Sequence, residues 1–231
     1  MQSHVCYTSD SEHAIQLVMV AACDEVLVEH QSAVYMQQFK AKLGDWAAVG
    51  DTDGQVKTVY VGLGDEGDDT DAIARVVCVL PAGAYVSKTM LSSRALVMWS
   101  LAQYRFDTYK KAEVVPRILC LDEQIKPHVL AETSAVFLAR DLINMPANHM
   151  GPKALAKAVE DVARLHGATY EVCVGDALLD ENYPAIHAVG RAAEEAPRLA
   201  SLTWGNPEHP RIALVGKGVC FDSGGLDLKP A

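Results

Sequence analysis

The chain has 231 residues, 50% of them hydrophobic, and 30 acidic against 20 basic side chains give a formal charge of -10. That length holds one large domain or two smaller ones, and the apolar fraction is ample for a core. The acidic balance argues against nonspecific nucleic-acid binding, which needs basic surface to displace counterions, and no run approaches the roughly 18 apolar residues of a membrane helix.

The first apolar stretch, 15–22, ends at Cys23, so that Val20-Ala21-Ala22-Cys23 resembles a lipoprotein cleavage site. A secretory leader needs a basic start, yet residues 1–14 hold no Lys or Arg and carry Asp10 and Glu12. A buried first strand over 16–21 is the better expectation. Up to about Lys126, short apolar runs alternate with helical spacing, which predicts a separate α/β domain. Its strands are expected at 16–21, 58–61 and 118–121, and its helices at 71–80 and 92–104. Gly62-Leu63-Gly64-Asp65-Glu66-Gly67 satisfies G-x-G-x-x-G between a strand and a helix. Four acids, Asp65, Glu66, Asp68 and Asp69, crowd the place a pyrophosphate would take, and a helix start can be capped by its own side chains. A turn is expected there rather than a dinucleotide site.

Past Lys126 the spacing predicts a helix over 127–144 with Leu130, Val136, Phe137 and Ile143 on its apolar side. Met145-Pro146 ends it, because the residue before proline disfavours the α region. A second helix, 152–166, opens on Pro152, tolerated at a helix start, and is followed by Gly167. Strands are expected at 170–174, 185–189, 199–204 and 212–215, and Arg140 and Asn144 are expected to be structural. No internal repeat or low-complexity tract occurs.

The six cysteines, Cys6, Cys23, Cys78, Cys120, Cys173 and Cys220, are dispersed, with no C-x-x-C pair. That usage predicts a reducing compartment and buried free thiols. The eight histidines form no H-E-x-x-H pair, so a histidine-bound zinc has no support in the sequence. Cys220 is expected to be a small core residue rather than a zinc ligand.

The densest chemistry lies at 216–231, GKGVCFDSGGLDLKPA. The apolar run 212–215 reads as a buried parallel strand, and open α/β sheets bind ligands at the carboxyl ends of such strands. Side chains alternate faces along a strand, so Lys217 and Asp222 would point to opposite sides of a straight one. Gly216, Gly218, Gly224 and Gly225 permit the bend that brings them together. Spacing alone leaves an ordinary ion pair equally open, and Lys229 before Pro230 is by itself a solvated loop lysine.

This segment resembles the metal-binding stretch of the leucyl aminopeptidase family, cytosolic two-metal peptidases. LARDLINMPANHMGP (138–152) resembles the opening of that family's catalytic domain, and IHAVGRAAEEAPRLASLTW (186–204) the stretch before its metal strand. The likeness covers roughly 129–231, in order. It implies an N-terminal α/β domain (1–126) followed by the start of an α/β catalytic domain (127–231) with a mixed central sheet. It implies an aminopeptidase that releases N-terminal residues, leucine-like by preference, from peptide substrates, and a cytoplasmic homo-oligomer, hexameric if it follows the family.

The resemblance also assigns roles. Lys217 corresponds to an amine ligand of one of two divalent ions, Mn²⁺ or Zn²⁺, Asp222 to the carboxylate bridging both, and Lys229 to the lysine that assists the substrate carbonyl. Ions ~3.5–4 Å apart can share a carboxylate and a water, lowering the pKa of that water. A lysine binds metal only as the neutral amine, and deprotonating one of pKa ~10.4 at pH 7 costs about 4.6 kcal/mol, which the dications must supply. Lys229 would stay protonated and stabilise the oxyanion. The family's later aspartate, and its Asn-Thr-Asp-Ala-Glu-Gly-Arg segment, are not among these 231 residues, and catalytic sites typically take three protein ligands per ion. The chain is therefore expected to be the N-terminal part of such an enzyme, truncated within the catalytic domain and inactive alone. Two alternatives differ in class. One is a noncatalytic α/β binding or regulatory module. The other is a serine hydrolase using Ser223, but Phe221 in place of Gly breaks its G-x-S-x-G elbow.

Overall fold

The computed structural model describes residues 6–111 and 115–220, and the chain divides into two compact units, 1–140 and 141–231. The first unit contains β1 (Tyr7–Thr8), β2 (Ile15–Val20), α1 (Val28–Met36), β3 (Trp46–Gly50), β4 (Val56–Gly62), α2 (Asp69–Val76), β5 (Gly83–Ser87), α3 (Ser93–Leu101) and β6 (Arg117–Cys120). A long helix, α4 (Lys126–Asn144), follows.

The six strands form one sheet in the order β1-β6-β5-β2-β4-β3. Every neighbouring pair is parallel except β3–β4, so the sheet is mixed. The central strand β2 reads IQLVMV, apolar apart from the exposed Gln16, as suits a parallel strand covered on both faces. In its register Leu17 lies opposite Val59 and Met19 opposite Val61. These four pack with Ala72, Ile73 and Val76 of α2 and with Ala95 and Trp99 of α3. Val20 and Tyr60 turn to the other face, where they meet Val34 of α1, Phe39, Ala47 and Val49. The period-2 alternation of strands thus divides one sheet between two cores.

Polar side chains tie the helix starts together. Asp68 caps α2 by accepting from Thr70 N at 2.8 Å and Asp71 N at 3.1 Å, and those bonds hold its carboxyl below the ordinary carboxylate range. Asp69 reaches across to accept from Ser92 N at 2.6 Å and Ser92 Oγ at 2.7 Å. Ser92 in turn caps α3, accepting from Ala95 N at 3.1 Å. On α4, Val129, Thr133 and Phe137 are buried. Near its end Arg140 donates to Leu101 O at 2.7 Å and lies over the Tyr104 ring, 5.3 Å from its centroid. Arg140 is structural, as its place in the sequence suggests.

The second unit holds α5 (Pro152–His166), β7 (Thr169–Val174), α6 (Ala177–Asp180), α7 (Pro184–Gly190) and β8 (Arg198–Thr203). Strands β7 and β8 pair antiparallel, from Thr169 opposite Thr203 to Val174 opposite Arg198. Helix α5 is joined to the pair by the Tyr170 hydroxyl, which donates to Ala156 O at 3.1 Å. Gly167, at φ +65°, closes α5 in the left-handed region that favours glycine.

Three expectations are corrected. Residues 185–189 belong to α7, not to a strand: Pro184 stands at the first helical turn, where its fixed φ suits a helix, and five mostly apolar residues around His187 have no period that tells the two apart. Residues 212–215 form no strand, and Ile212, Leu214 and Val215 are 88%, 94% and 96% exposed. A strand needs a neighbouring backbone, and β7 and β8 pair only with each other among the described residues. The cysteines are all free, but only Cys6 is buried: Cys23 is exposed, and Cys78, Cys120, Cys173 and Cys220, the last expected in the core, are half-buried.

Candidate metal-binding segment

Beyond β8 the chain turns at Gly205, φ +100°, and runs without regular structure to Cys220. Lys217 lies on this stretch with its side chain exposed. Asp222, Ser223 and Lys229 lie outside the described residues, as do Gly224 and Gly225. The expected meeting of Lys217 with Asp222 therefore involves one described partner. Gly216 borders open space, whereas a Cβ on Gly218 would stand 2.6 Å from Leu155 Cδ2 on α5. The missing side chain lets the backbone beside Lys217 approach the first turns of that helix.

The surroundings of this approach come from two further stretches. Helix α5 has Gly151 at its N-cap and no side-chain cap of its own. Glu195 substitutes, accepting from Lys153 N at 3.0 Å. Its Oε2 lies 2.6 Å from where a Cβ on Gly151 would be. The Cys220 thiol, half-buried, is pushed up first by burial and further by the Glu195 charge, with Arg198 opposing. Glu195 and Leu155 were not singled out in the sequence, because neither belongs to a spacing that announces a reach across forty residues.

An amine at Lys217 and a carboxylate at Asp222 are a donor set suited to borderline divalent ions. Among the described residues no group of three or more His, Cys, Asp or Glu could hold a metal.

The glycine-rich turn after β4 has an explanation in packing. A Cβ on Gly62 would overlap the Lys42 carbonyl, and one on Gly64 would stand 2.9 Å from Leu43 N. Gly62 N donates to Asp45 O at 2.9 Å and Gly64 N to Ala41 O at 3.0 Å. Asp68 and Asp69 are occupied with the two helix starts. Among the described residues no helix is long and apolar enough to cross a membrane.

Comparison with known proteins gives the same picture over most of the chain. Residues 13–120 match the family described as M17 aminopeptidase, N-terminal domain, and residues 137–231 match the cytosol aminopeptidase family, catalytic domain. A probable cytosol aminopeptidase of Aeropyrum pernix is 36% identical over 147 residues, 62% of this chain and 30% of that protein. One of Corynebacterium efficiens is 31% identical over 228 residues, 87% of this chain and 45% of that protein. The chain thus spans about a third to a half of the length of such relatives. The crystal structure of a cytosol aminopeptidase from Coxiella burnetii superposes with a TM-score of 0.87 at 32% identity, covering 97% of this chain and 52% of that one. The bottromycin maturation enzyme BotP in complex with Mn matches with a TM-score of 0.68 at 26% identity, over 84% of this chain and 46% of that one.

Proposed function

The chain belongs to the cytosol aminopeptidase family, and from that premise we propose that it is part of a metal-dependent aminopeptidase that releases N-terminal residues, leucine-like by preference, from peptides. The observation that carries the reading is the matching of both family domains in order, with Lys217 on the glycine-flanked stretch inside the second. Two divalent ions, Mn²⁺ or Zn²⁺, would supply Lewis acidity and a water acidified to near neutral pKa. The Mn complex of BotP supports the first choice of metal. Lys217 would hold one ion through its neutral amine, and Asp222 would join both through its two carboxylate oxygens. Lys229 would keep its proton and donate to the oxygen that gains charge as the peptide carbonyl is attacked. The same reading makes 1–126 an N-terminal domain, 127–231 the opening part of the catalytic domain, and the protein a cytoplasmic homo-oligomer. Lys217 and Asp222 together fall short of three ligands per ion, so these 231 residues alone are expected to bind Mn²⁺ weakly and not to turn over leucine p-nitroanilide.

The test compares two variants in a protein extended to the length of its relatives. Asp222→Ala should abolish both metal retention and turnover, because it removes a ligand that both ions would share. Lys229→Ala should keep its metal while kcat falls on the order of 10²–10³-fold, the usual loss for one oxyanion donor. Unchanged metal content in the first variant removes the bridging assignment, and normal kcat in the second returns Lys229 to a loop lysine.

A further inference from the structure

We propose that Glu195 is a positioning residue for the stretch that carries Lys217, acting through the first turns of α5; the assignment rests on the metal-ligand reading of Lys217. Three close approaches at glycine make the case. Glu195 fills the space that a side chain on Gly151 would take, its Oε2 lying 2.6 Å from that Cβ position, and it caps α5 by accepting from Lys153 N at 3.0 Å. One turn further, Leu155, whose N donates to Gly151 O at 3.0 Å, stands against Gly218. The turn that presents Glu195 is itself anchored: a Cβ on Gly190 would overlap the Pro197 ring, Pro197 is buried, and its carbonyl accepts from Gly175 N at 2.9 Å. A fixed turn therefore holds the start of α5, and the start of α5 seats the backbone next to Lys217.

Such coupling matters because an amine ligand must be presented at its ion within a fraction of an ångström, and a segment without hydrogen-bonded structure cannot do that unaided. A carboxylate also suits the task electrically. It sits at the positive end of a fifteen-residue helix, so Glu195 satisfies an orphan backbone donor and opposes the helix dipole together.

The experiment traps the approach in solution. In the 231-residue chain with Cys220→Ser, Leu155→Cys combined with Gly218→Cys should form a disulfide under mild oxidation by oxidised glutathione, identified by peptide mass. Adding Glu195→Ala should slow the cross-link about fivefold, the change in population that loss of one helix cap carries. Glu195→Gln, whose amide oxygen still accepts from Lys153 N, should cross-link at the parent rate. A second measurement needs no introduced cysteine: maleimide labelling of native Cys220 should be about fivefold faster in Glu195→Ala than in Glu195→Gln. Both variants remove the charge, so their difference reports the cap alone. Absence of the cross-link in every variant, or equal labelling rates in the two Glu195 variants, overturns the proposal. Mn²⁺ gives a separate arm. If, in a protein extended to the length of its relatives, Mn²⁺ content is unchanged by Lys217→Ala, the metal-ligand reading fails, while the cross-link and labelling rates still report the seat.

Discussion

At the scale of single residues, Tyr7 shows how burial becomes a dependence on pH. Its ring is 2% exposed, its hydroxyl donates to Leu96 O at 2.6 Å, and burial pushes its pKa from the ordinary 10.0 up to about 12. The folded state therefore keeps its proton longer than the unfolded chain does. Stability from this group is complete below pH 10 and is lost as pH rises from there through about 12, by at most roughly 3 kcal/mol. Urea unfolding followed from pH 9 to 12 should show that fall, and Tyr7→Phe should remove its share of the slope while costing about 1 kcal/mol at neutral pH for the lost hydrogen bond. An unaltered slope in Tyr7→Phe would contradict the assignment. The glycines after β4 make a second pair of expectations. Gly62→Ala drives a Cβ into the Lys42 carbonyl, a backbone atom that cannot step aside, and should cost about 3 kcal/mol. Gly67→Ala meets nothing within 4 Å but holds φ at +66°, so it should cost about 1–2 kcal/mol from conformation alone. Denaturant midpoints of the two variants separate crowding from backbone strain.

At the scale of elements, legibility followed period and punctuation. Helix α5 could be read to its ends because Pro152 opens it and Gly167 closes it, one signal for each terminus. Strands β2, β4 and β6 were visible as apolar runs too short for a helix. Strand β3 was missed because WAAVG alternates small residues with no polar partner pattern, and α1 because Val28, Tyr35 and Met36 project into solvent while only Val34 is buried. For α7 the apolar run was real and its period was not. Helix α4 carries the next expectation. Val129 belongs to the core that covers the β2–β4 face, and the division between the units falls at 140 and 141, inside this helix. A chain ended at Lys126 should therefore melt several degrees below one ended at Asn144, since it lacks buried Val129 and Phe137. Equal melting temperatures would show that α4 adds nothing to the first unit.

At the scale of the whole molecule, the family was legible in the order of three motifs, and the site was legible only as far as chemistry resides in residue types. Lys217 and Asp222 were named through the resemblance of their glycine-flanked segment to a family's metal stretch, since spacing alone left an ordinary ion pair equally open. The Glu195 cap of α5 could not be read, because Glu195 reaches Lys153 N only once the chain has folded. One feature of the first sheet bears on how the molecule is made. Its β3–β4 hairpin closes over a few residues, with the Asp51 carboxylate bonded to Asp53 N and Gln55 N at the turn. Strand β1, by contrast, pairs with β6, Tyr7 against Leu119. Closing a long loop costs more entropy than closing a short one, so local pairs form first and distant ones last. During synthesis β1 leaves the ribosome first and docks after everything between. At about 5–20 residues per second, Cys6 and Tyr7 wait several seconds without the strand that will cover them, and that interval, more than the finished fold, is when this domain is exposed to chaperones and to its neighbours on the polysome.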